Sequence, residues 1–589
     1  MCGITGYVGE RPAAPFLVDS LFRLEYRGYD SAGIATLDSG LHIRKDKGQI
    51  AEIESNLKLS DLPGTIGIGH TRWATHGVPS QQNSHPHTDC KNEFAVVHNG
   101  IIENYSELKE ELASKGHKFK SETDTEIIAH LIEESYSDDL EKAVITTVGK
   151  LDGSFALAIL SSKEPDKIIA IRNKSPLVIG IGDGENFLAS DIPAFLKETK
   201  KVIILENNEY AILTKNEVTV KDLATGEKRG KEPQEITWSA EAAEKGGFPY
   251  FAEKEIKEIP NAVEAVLATR DNIKKITENV RDIDKIVLIA CGTSYHAALI
   301  GKYLLEKNCK IRAEAALASE FPYGLANVVD SKTLVIAISQ SGETADTLQA
   351  VQIAREKGAK VFGVVNVVGS SLDREANFTA YSSAGPEIAV IATKTFVAQL
   401  TILYMFAFML GGKSTEALQG LPELIRKTIE STEDQVKSVA EHIKDRESVY
   451  FIGRGLAYPL VLEGALKLKE ISYIHAEGMP AGELKHGTLS LIADKVPVIV
   501  CLMPEAYDRT MGNIEEVKAR DGYVVAVTNE KDEKAAKHVD VVIKVPEAEG
   551  QLYPLLQVIP LQLLAYYTTV SRGLDPDKPR NLAKCVTVE

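Results

Sequence analysis

The sequence predicts an α+β sandwich domain followed by two doubly wound α/β domains. Three observations lead there. The first roughly 215 residues carry short β-type runs interrupted by two helical patterns. After Phe251, apolar strands alternate with long helices. That alternation runs twice, as though one α/β unit of about 140 residues had been duplicated.

Within the first domain the strand-like runs are Thr65–Gly69, Phe94–Val97, Phe155–Leu160, Lys167–Ile171 and Val202–Leu205. Helical periodicity covers Glu103–Lys115 and Asp124–Ser135. Strands, then helices, then strands again point to an α+β sandwich rather than a parallel alternation. The polar stretch Lys215–Gly247 reads as a β-hairpin tail and a linker. Beyond it the strands are Lys285–Ala290, Thr333–Ile338 and Lys360–Val365, then Ser448–Ile452, Val496–Met503 and Tyr523–Thr528. Each series runs from strand to small-residue turn to helix. The domains are therefore expected at 1–217, 275–415 and 440–579, with a linker over 218–247 and a tail over 580–589. One large sheet remains an alternative to the duplication.

Composition excludes several classes. The chain has 589 residues, 44% apolar and 26% charged, with 23 Pro and 43 Gly, so it is neither disordered nor fibrous. The net charge is 67 − 84 = −17, and no basic run exceeds two residues. That speaks for solubility and against a nucleic-acid partner. Six cysteines are scattered without a C-x-x-C pair, which excludes a disulfide framework and a zinc ribbon and favours a reducing, cytoplasmic setting. The apolar stretch Leu400–Leu410, broken by Thr401, is too short to span a bilayer. The start, Met-Cys-Gly-Ile-Thr-Gly, carries no signal-peptide pattern. No membrane partner is expected.

Cys2 is the first chemical candidate. Removal of Met1 would set its thiol beside a free α-amine of pKa about 8, so one residue could supply both nucleophile and base. Met-Cys-Gly alone is weak; its context is not. Further on come His70-Thr71-Arg72-Trp73-Ala74-Thr75-His76-Gly77, His98-Asn99-Gly100 and Ser121-Glu122-Thr123-Asp124. An Arg after a strand can hold a carboxylate bidentately, and an Asp at a helix start can hold an ammonium group. Asn99 and Gly100, following a strand, could donate N–H groups to an oxyanion. Together these parts suit an amino-acid amide such as glutamine. The histidines His70, His76, His85, His87 and His98 fit no common zinc spacing, and Pro86 splits the closest pair. They are expected to order loops, and neither a metal nor a cofactor is expected.

The second constellation is Ser339-Gln340-Ser341-Gly342-Glu343-Thr344, between a strand and a helix. Hydroxyls and free N–H groups at a helix start suit a phosphate, provided Glu343 points away. The sister turn Cys291-Gly292-Thr293-Ser294 adds two hydroxyls. N-capping alone would explain one such turn, but two neighbouring turns favour a phosphate site. The G-x-x-x-x-G-K-[ST] loop is absent, and Gly453-Arg454-Gly455 is only half a dinucleotide fingerprint. In the helix Val461–Ser472, Glu463, Lys467 and Glu470 share a stripe about 60° wide, fitting either a cleft or a surface ion pair. His486 sits in a Gly-bounded loop. The tail reads Leu582-Ala583-Lys584-Cys585-Val586-Thr587-Val588-Glu589, and a Lys brought into a cleft can form a Schiff base.

The first-domain segments resemble the N-terminal-nucleophile (Ntn) glutamine amidotransferases. The Ser-rich turns resemble those of sugar-isomerase (SIS) domains, which bind phosphosugars. The whole order, tail included, resembles the glutamine–fructose-6-phosphate aminotransferase (isomerizing) family. The resemblance implies an Ntn sandwich and two SIS domains that make glucosamine 6-phosphate from glutamine and fructose 6-phosphate, in a homodimer. It implies that Cys2 attacks glutamine, that Asn99 and Gly100 form the oxyanion hole, and that Arg72 and Asp124 hold the amino-acid end, with Trp73, Thr75 and His76 beside them. It implies that Ser294, Ser339, Gln340, Ser341 and Thr344 hold the sugar phosphate, with Thr293, Val390 and Ala583 lining the sugar. Lys584 would form the Schiff base and Glu470 would move a proton between C1 and C2, supported by Lys467 and Glu463. His486 would open the ring in a neighbouring subunit's site, and Trp73 would gate an ammonia channel.

Two residues depart from the family pattern: Ala392 and Cys585 stand where Ser is usual. Three rivals share parts of the pattern. Amidophosphoribosyltransferases have the same kind of nucleophile but need paired acids after a strand, and the lone Asp138-Asp139 lies in a first-domain loop. A non-catalytic sugar-phosphate sensor would not need Cys2, Glu470 and Lys584 together. A phosphosugar isomerase or deglycase would not need the glutaminase half.

Overall fold

A computed structural model describes residues 2–236, 244–280 and 282–587. It divides into two compact units: residues up to 243 with those from 583 onward, and residues 244–582.

The first unit stacks an eight-stranded and a six-stranded antiparallel sheet. Ile4, Ile68, Ala95, Val97, Ala158 and Leu188 fill the space between them. The outer faces are also covered. Helix Ala13–Leu24 packs on Tyr7, Ile34 and Phe187. Helices Tyr105–Ser114, Glu126–Ser135 and Leu140–Val148 pack on Phe94, Val96, Leu157 and Ile159. Residues 94–97 thus alternate between two apolar interiors, which explains their uninterrupted hydrophobic run. Strand Gly3–Val8 pairs with Ile66–Arg72 in one sheet, while Phe94–Ile102 runs in the other. These strands bring three distant motifs together.

The hairpin tail read at the start of Lys215–Gly247 extends into the range 218–247 given to the linker, so the boundary at 217 falls inside a hairpin. Strand Val218–Asp222 pairs with Glu209–Leu213, and Gln234–Glu235 pairs with the strand starting at Lys201. Val220 is buried on one side only, so its alternation is diluted by charged neighbours. Residues 237–243 of that stretch lie outside the described residues.

The second unit holds two separate five-stranded parallel sheets, not one large one. In each, the strand earliest in the chain lies second in space, giving the order 2-1-3-4-5 twice over. The two sheets share one continuous core. Helices Lys394–Leu410 and Tyr553–Ser571 run through it, which is why both are apolar nearly all round. In the second unit four strands escaped the sequence analysis: Arg312–Leu317, Phe378–Tyr381, His475–Pro480 and Val541–Val545. All are edge strands, half exposed, and His475–Pro480 carries both Gly478 and Pro480. Among the described residues no helix is long and apolar enough to cross a membrane.

Helix Gly292–Cys309 packs closely on Lys394–Leu410 at Gly301. A Cβ there would lie 2.9 Å from Leu288 Cδ2 and 3.1 Å from Leu403 Cδ1. Gly301→Val is expected to destabilise the second unit by about 1–3 kcal/mol through overpacking. An unchanged thermal midpoint would contradict this packing.

Candidate functional site

In the first unit, Cys2 precedes the strand that pairs with Ile66–Arg72, and its thiol meets Trp73. The Trp73 N–H donates to Cys2 Sγ at 3.3 Å, and the thiol lies 3.5 Å from the Trp73 carbonyl. Asn99 faces it from the other sheet, its Nδ2 donating to the Cys2 carbonyl at 3.0 Å. The Asn99 amide is oriented by His70 Nε2, 3.1 Å from Oδ1. Gly100 has φ +130° and a Cβ there would lie 1.9 Å from the Ser154 carbonyl, so no side chain fits. Burial pushes the Cys2 thiol up, and the Trp73 amide and Arg72 charge do not cancel it. The thiol therefore needs a base to become a nucleophile.

Arg72 is buried, with Nη2 donating to the His76 and Gly77 carbonyls. Its buried Nη1 has no partner among the described residues. Asp124 lies two residues before helix Glu126–Ser135, and one oxygen accepts from the Ile102 N–H at 2.9 Å. A buried donor and a buried carboxylate, both within electrostatic reach of Cys2, suit the two ends of an amino acid. Trp73 packs edge-on against Tyr29, Thr75 is exposed, and His76 stacks edge-on against Tyr105.

The histidines form a buried array behind this cluster. His70 and His85 stack at 4.0 Å, and His85 meets His87 at 4.7 Å. His98 Nδ1 lies 2.9 Å from Thr125 Oγ1, and His87 Nε2 3.1 Å from Thr123 Oγ1. Burial lowers His70 to about 3 and depresses His85, His87 and His98 as well. Neutral rings here order the loops that carry Arg72 and Asp124.

In the second unit, the turns 291–294 and 339–344 follow adjacent strands, with Ala290 paired to Ile338. That is where the strand order reverses, the place where ligands sit in open α/β sheets. Ser339 Oγ contacts Thr344 Oγ1 at 2.9 Å and accepts from the Gly342 N–H at 3.0 Å. Ser341 Oγ accepts from the Glu343 N–H. Gly342 has φ +67°, and a Cβ there would strike Ser370 Oγ at 2.1 Å. Glu343 does turn away, accepting from the Ser371 N–H and hydroxyl, each at 2.8 Å. Ser294 and Gln340 are half-buried in the same turns. The second sheet lacks such turns: its strand Pro497–Cys501 is followed by Leu502-Met503-Pro504.

Helix Ala457–Ser472 brings the charged stripe to the first sheet's turn. Glu463 is fully buried, accepting from Thr293 Oγ1 at 3.1 Å and lying 2.7 Å from His296 Nδ1. Lys467 Nζ lies 3.6 Å from Glu463 and 2.5 Å from Glu470. Burial works to neutralise Lys467, but the two carboxylates outweigh it and hold its pKa above the usual lysine value. The stripe is thus a cleft wall and not a surface ion pair. Val390 is half-buried and donates its N–H to the Asp577 carbonyl. His486 is exposed on a short 3-10 turn, and no contact joins it to the Glu463 cluster. Ala583 and Lys584 are half-buried and belong to the first unit. His296 was missed by the sequence analysis, although it stands three residues after Thr293 on the same helix face.

The first cluster and fold define an amidotransferase half, and the second a sugar-isomerase half. A glutamine amidotransferase domain family matches residues 70–197, and the SIS domain family matches 279–409 and 442–572. The chain is 52% identical over 605 aligned positions to glutamine–fructose-6-phosphate aminotransferase [isomerizing] of Thermococcus kodakarensis, with both chains covered in full. It is 51% identical to the protein of the same name from Methanothermobacter thermautotrophicus, again over both full lengths. The solved C-terminal domain of glucosamine-fructose-6-phosphate aminotransferase from Francisella tularensis is 36% identical. It covers 57% of this chain and 99% of its own, with a TM-score of 0.54. The chain belongs to the glutamine–fructose-6-phosphate aminotransferase (isomerizing) family.

The histidine array sets a pH dependence. Each ring has a native pKa below its unfolded value of about 6.5, so the unfolded state binds more protons as pH falls. Stability is present above pH 6.5 and is lost as pH drops toward the native values, by up to about 1.4 kcal/mol per pH unit per ring. The urea midpoint of the first unit is expected to fall between pH 6.5 and 5, before most carboxylates titrate. A flat profile there would exclude neutral buried rings.

Proposed function

We propose that the chain converts fructose 6-phosphate and glutamine to glucosamine 6-phosphate and glutamate. One observation carries this: a single chain holds both the Cys2–Arg72–Asp124–Asn99 cluster and hydroxyl-rich turns beside the Glu463–Lys467–Glu470 wall.

With Met1 removed, the Cys2 amine takes the thiol proton and the thiolate attacks the glutamine carboxamide carbon. Asn99 Nδ2 and the Gly100 N–H receive the oxyanion. Arg72 Nη1 holds the α-carboxylate and Asp124 the ammonium group, with Trp73, Thr75 and His76 around them. Ammonia leaves with a proton, and water cleaves the thioester to glutamate. The raised Cys2 pKa supports an adjacent base.

On the sugar side, Ser294, Ser339, Gln340, Ser341 and Thr344 hold the phosphate, and Thr293, Val390 and Ala583 line the sugar. Lys584 condenses with C2 of the open ketose. Ammonia then displaces the lysine at C2, and Glu470 takes a proton from C1 and returns it at C2. Lys467 pairs with that carboxylate, and Glu463 and Glu470 together keep Lys467 charged. His486, exposed in the single chain, opens the ring in the partner of a homodimer. The partners are then two small molecules, with neither nucleic acid nor membrane. Six free thiols suit the cytoplasm.

Incubation with glutamine and fructose 6-phosphate should yield glucosamine 6-phosphate. Cys2→Ala should lower the glutamine-dependent rate by about 10³-fold or more, and full activity in that variant would end the proposed mechanism. Lys584→Ala should stop sugar conversion yet leave glutamine hydrolysis measurable; unchanged product would remove the Schiff base. Mass spectrometry should find Cys2 at the mature N-terminus, since a retained Met1 would block the amine base.

A further inference from the structure

We propose that the first unit carries a structural zinc site formed by Cys90, His117, His130 and Glu133. The sequence analysis expected no metal, having weighed only His70, His76, His85, His87 and His98; the four proposed ligands lie apart in the chain. The fold gathers them: Cys90 lies in the turn between strands His87–Thr88 and Phe94–Ile102, and His117 follows helix Tyr105–Ser114. His130 and Glu133 stand at i and i+3 on helix Glu126–Ser135. One donor atom from each of the four lies within 4.8 Å of the other three.

Five of the six donor–donor separations fit the edges of a tetrahedron, and the sixth is within 4.8 Å. Cys90 Sγ is 3.7 Å from His117 Nδ1 and 3.6 Å from His130 Nδ1. The two Nδ1 atoms are 3.3 Å apart. Glu133 Oε2 is 3.2 Å from His117 Nδ1 and 3.6 Å from His130 Nδ1. Zinc bound at about 2.3 Å to sulfur and about 2.0–2.1 Å to nitrogen or oxygen requires edges of about 3.3–3.6 Å. Without an ion, two facing Nδ1 atoms can share only one hydrogen bond, with the rings in opposite tautomers. Facing one cation, both serve as acceptors.

Charge and surroundings agree. A thiolate and a carboxylate with two neutral imidazoles neutralise a divalent ion, and the N, S and O donor set in tetrahedral array favours zinc. Each ring also presents its other nitrogen toward a carboxylate. His117 Nε2 is 3.1 Å from Glu134 Oε2, and His130 Nε2 is 3.7 Å from Glu126 Oε1. The Glu134 carboxylate orients His117 as outer carboxylates orient ligating histidines, while His130 Nε2 is buried without a hydrogen-bond partner among the described residues. Glu133 also accepts from the Cys90 N–H at 3.2 Å, while its other oxygen lies 3.5 Å from Lys91 Nζ. Four protein ligands leave no open position, so the ion fastens structure and does no chemistry. It would tie the strand turn to both ends of the segment 117–133, which carries Asp124.

The test uses untagged full-length protein grown with zinc. Plasma mass spectrometry should find about one zinc per chain. The double variant Cys90→Ser/His117→Ala should lose it, as should the milder Glu133→Gln if the double variant fails to fold. Cobalt substitution should give the intense visible bands of a tetrahedral thiolate site. Glu134→Gln should weaken zinc binding by about 10–100-fold. A chelator should lower the thermal midpoint of the wild type, reversibly with zinc, but not that of the variants. Wild-type protein without zinc and insensitive to added zinc would overturn the site, and so would variants that keep wild-type zinc content.

Discussion

The second unit is organised around one buried carboxylate. Glu463 has no access to water, and an unpaired charge there would cost several kcal/mol. Its compensation comes from two domains: Thr293 and His296 on one, Lys467 on its own helix. The carboxylate is satisfied only when the helix Ala457–Ser472 lies against the turn at 291–294. The same contact sets Lys467, which pairs with Glu470, behind the turn at 291–294. The continuous core beneath it is shared by both sheets.

The first unit reaches a comparable order through hydrogen bonds to neutral groups. His70, kept uncharged by burial, fixes the Asn99 amide, which in turn faces Cys2. Reversing that amide would aim an oxygen at the place where negative charge develops. The contrast is physical: the Cys2 cluster is ordered by dipoles around an uncharged ring, whereas the Glu463–Lys467–Glu470 cluster is ordered by opposite charges.

Much of this was legible in the sequence, and the gaps have causes. Central parallel strands such as Thr333–Ser339 are buried on both faces and announce themselves as apolar runs. Edge strands such as His475–Pro480 are half solvated and carry no such signal. The Ser-rich turns and the Glu–Lys–Glu stripe stood out because local spacing fixes them. His296 and the Cys90 cluster did not, since their partners lie up to 167 positions away and only the fold unites them. The first domain was ended at 217, inside its last hairpin, because Val218–Asp222 is covered on one face alone and its strand signal is weak.

The repeated 2-1-3-4-5 sheet has a historical reading. Two copies of one ancestral domain began with the same reversal in strand order and so the same potential pocket. The first kept its hydroxyl turns. In the second, the equivalent strand ends in Leu502-Met503-Pro504, with no hydroxyl and a proline lacking an N–H. That copy contributes its helix instead. The halves have become complementary, one supplying hydroxyl turns and the other the Glu463–Lys467–Glu470 helix.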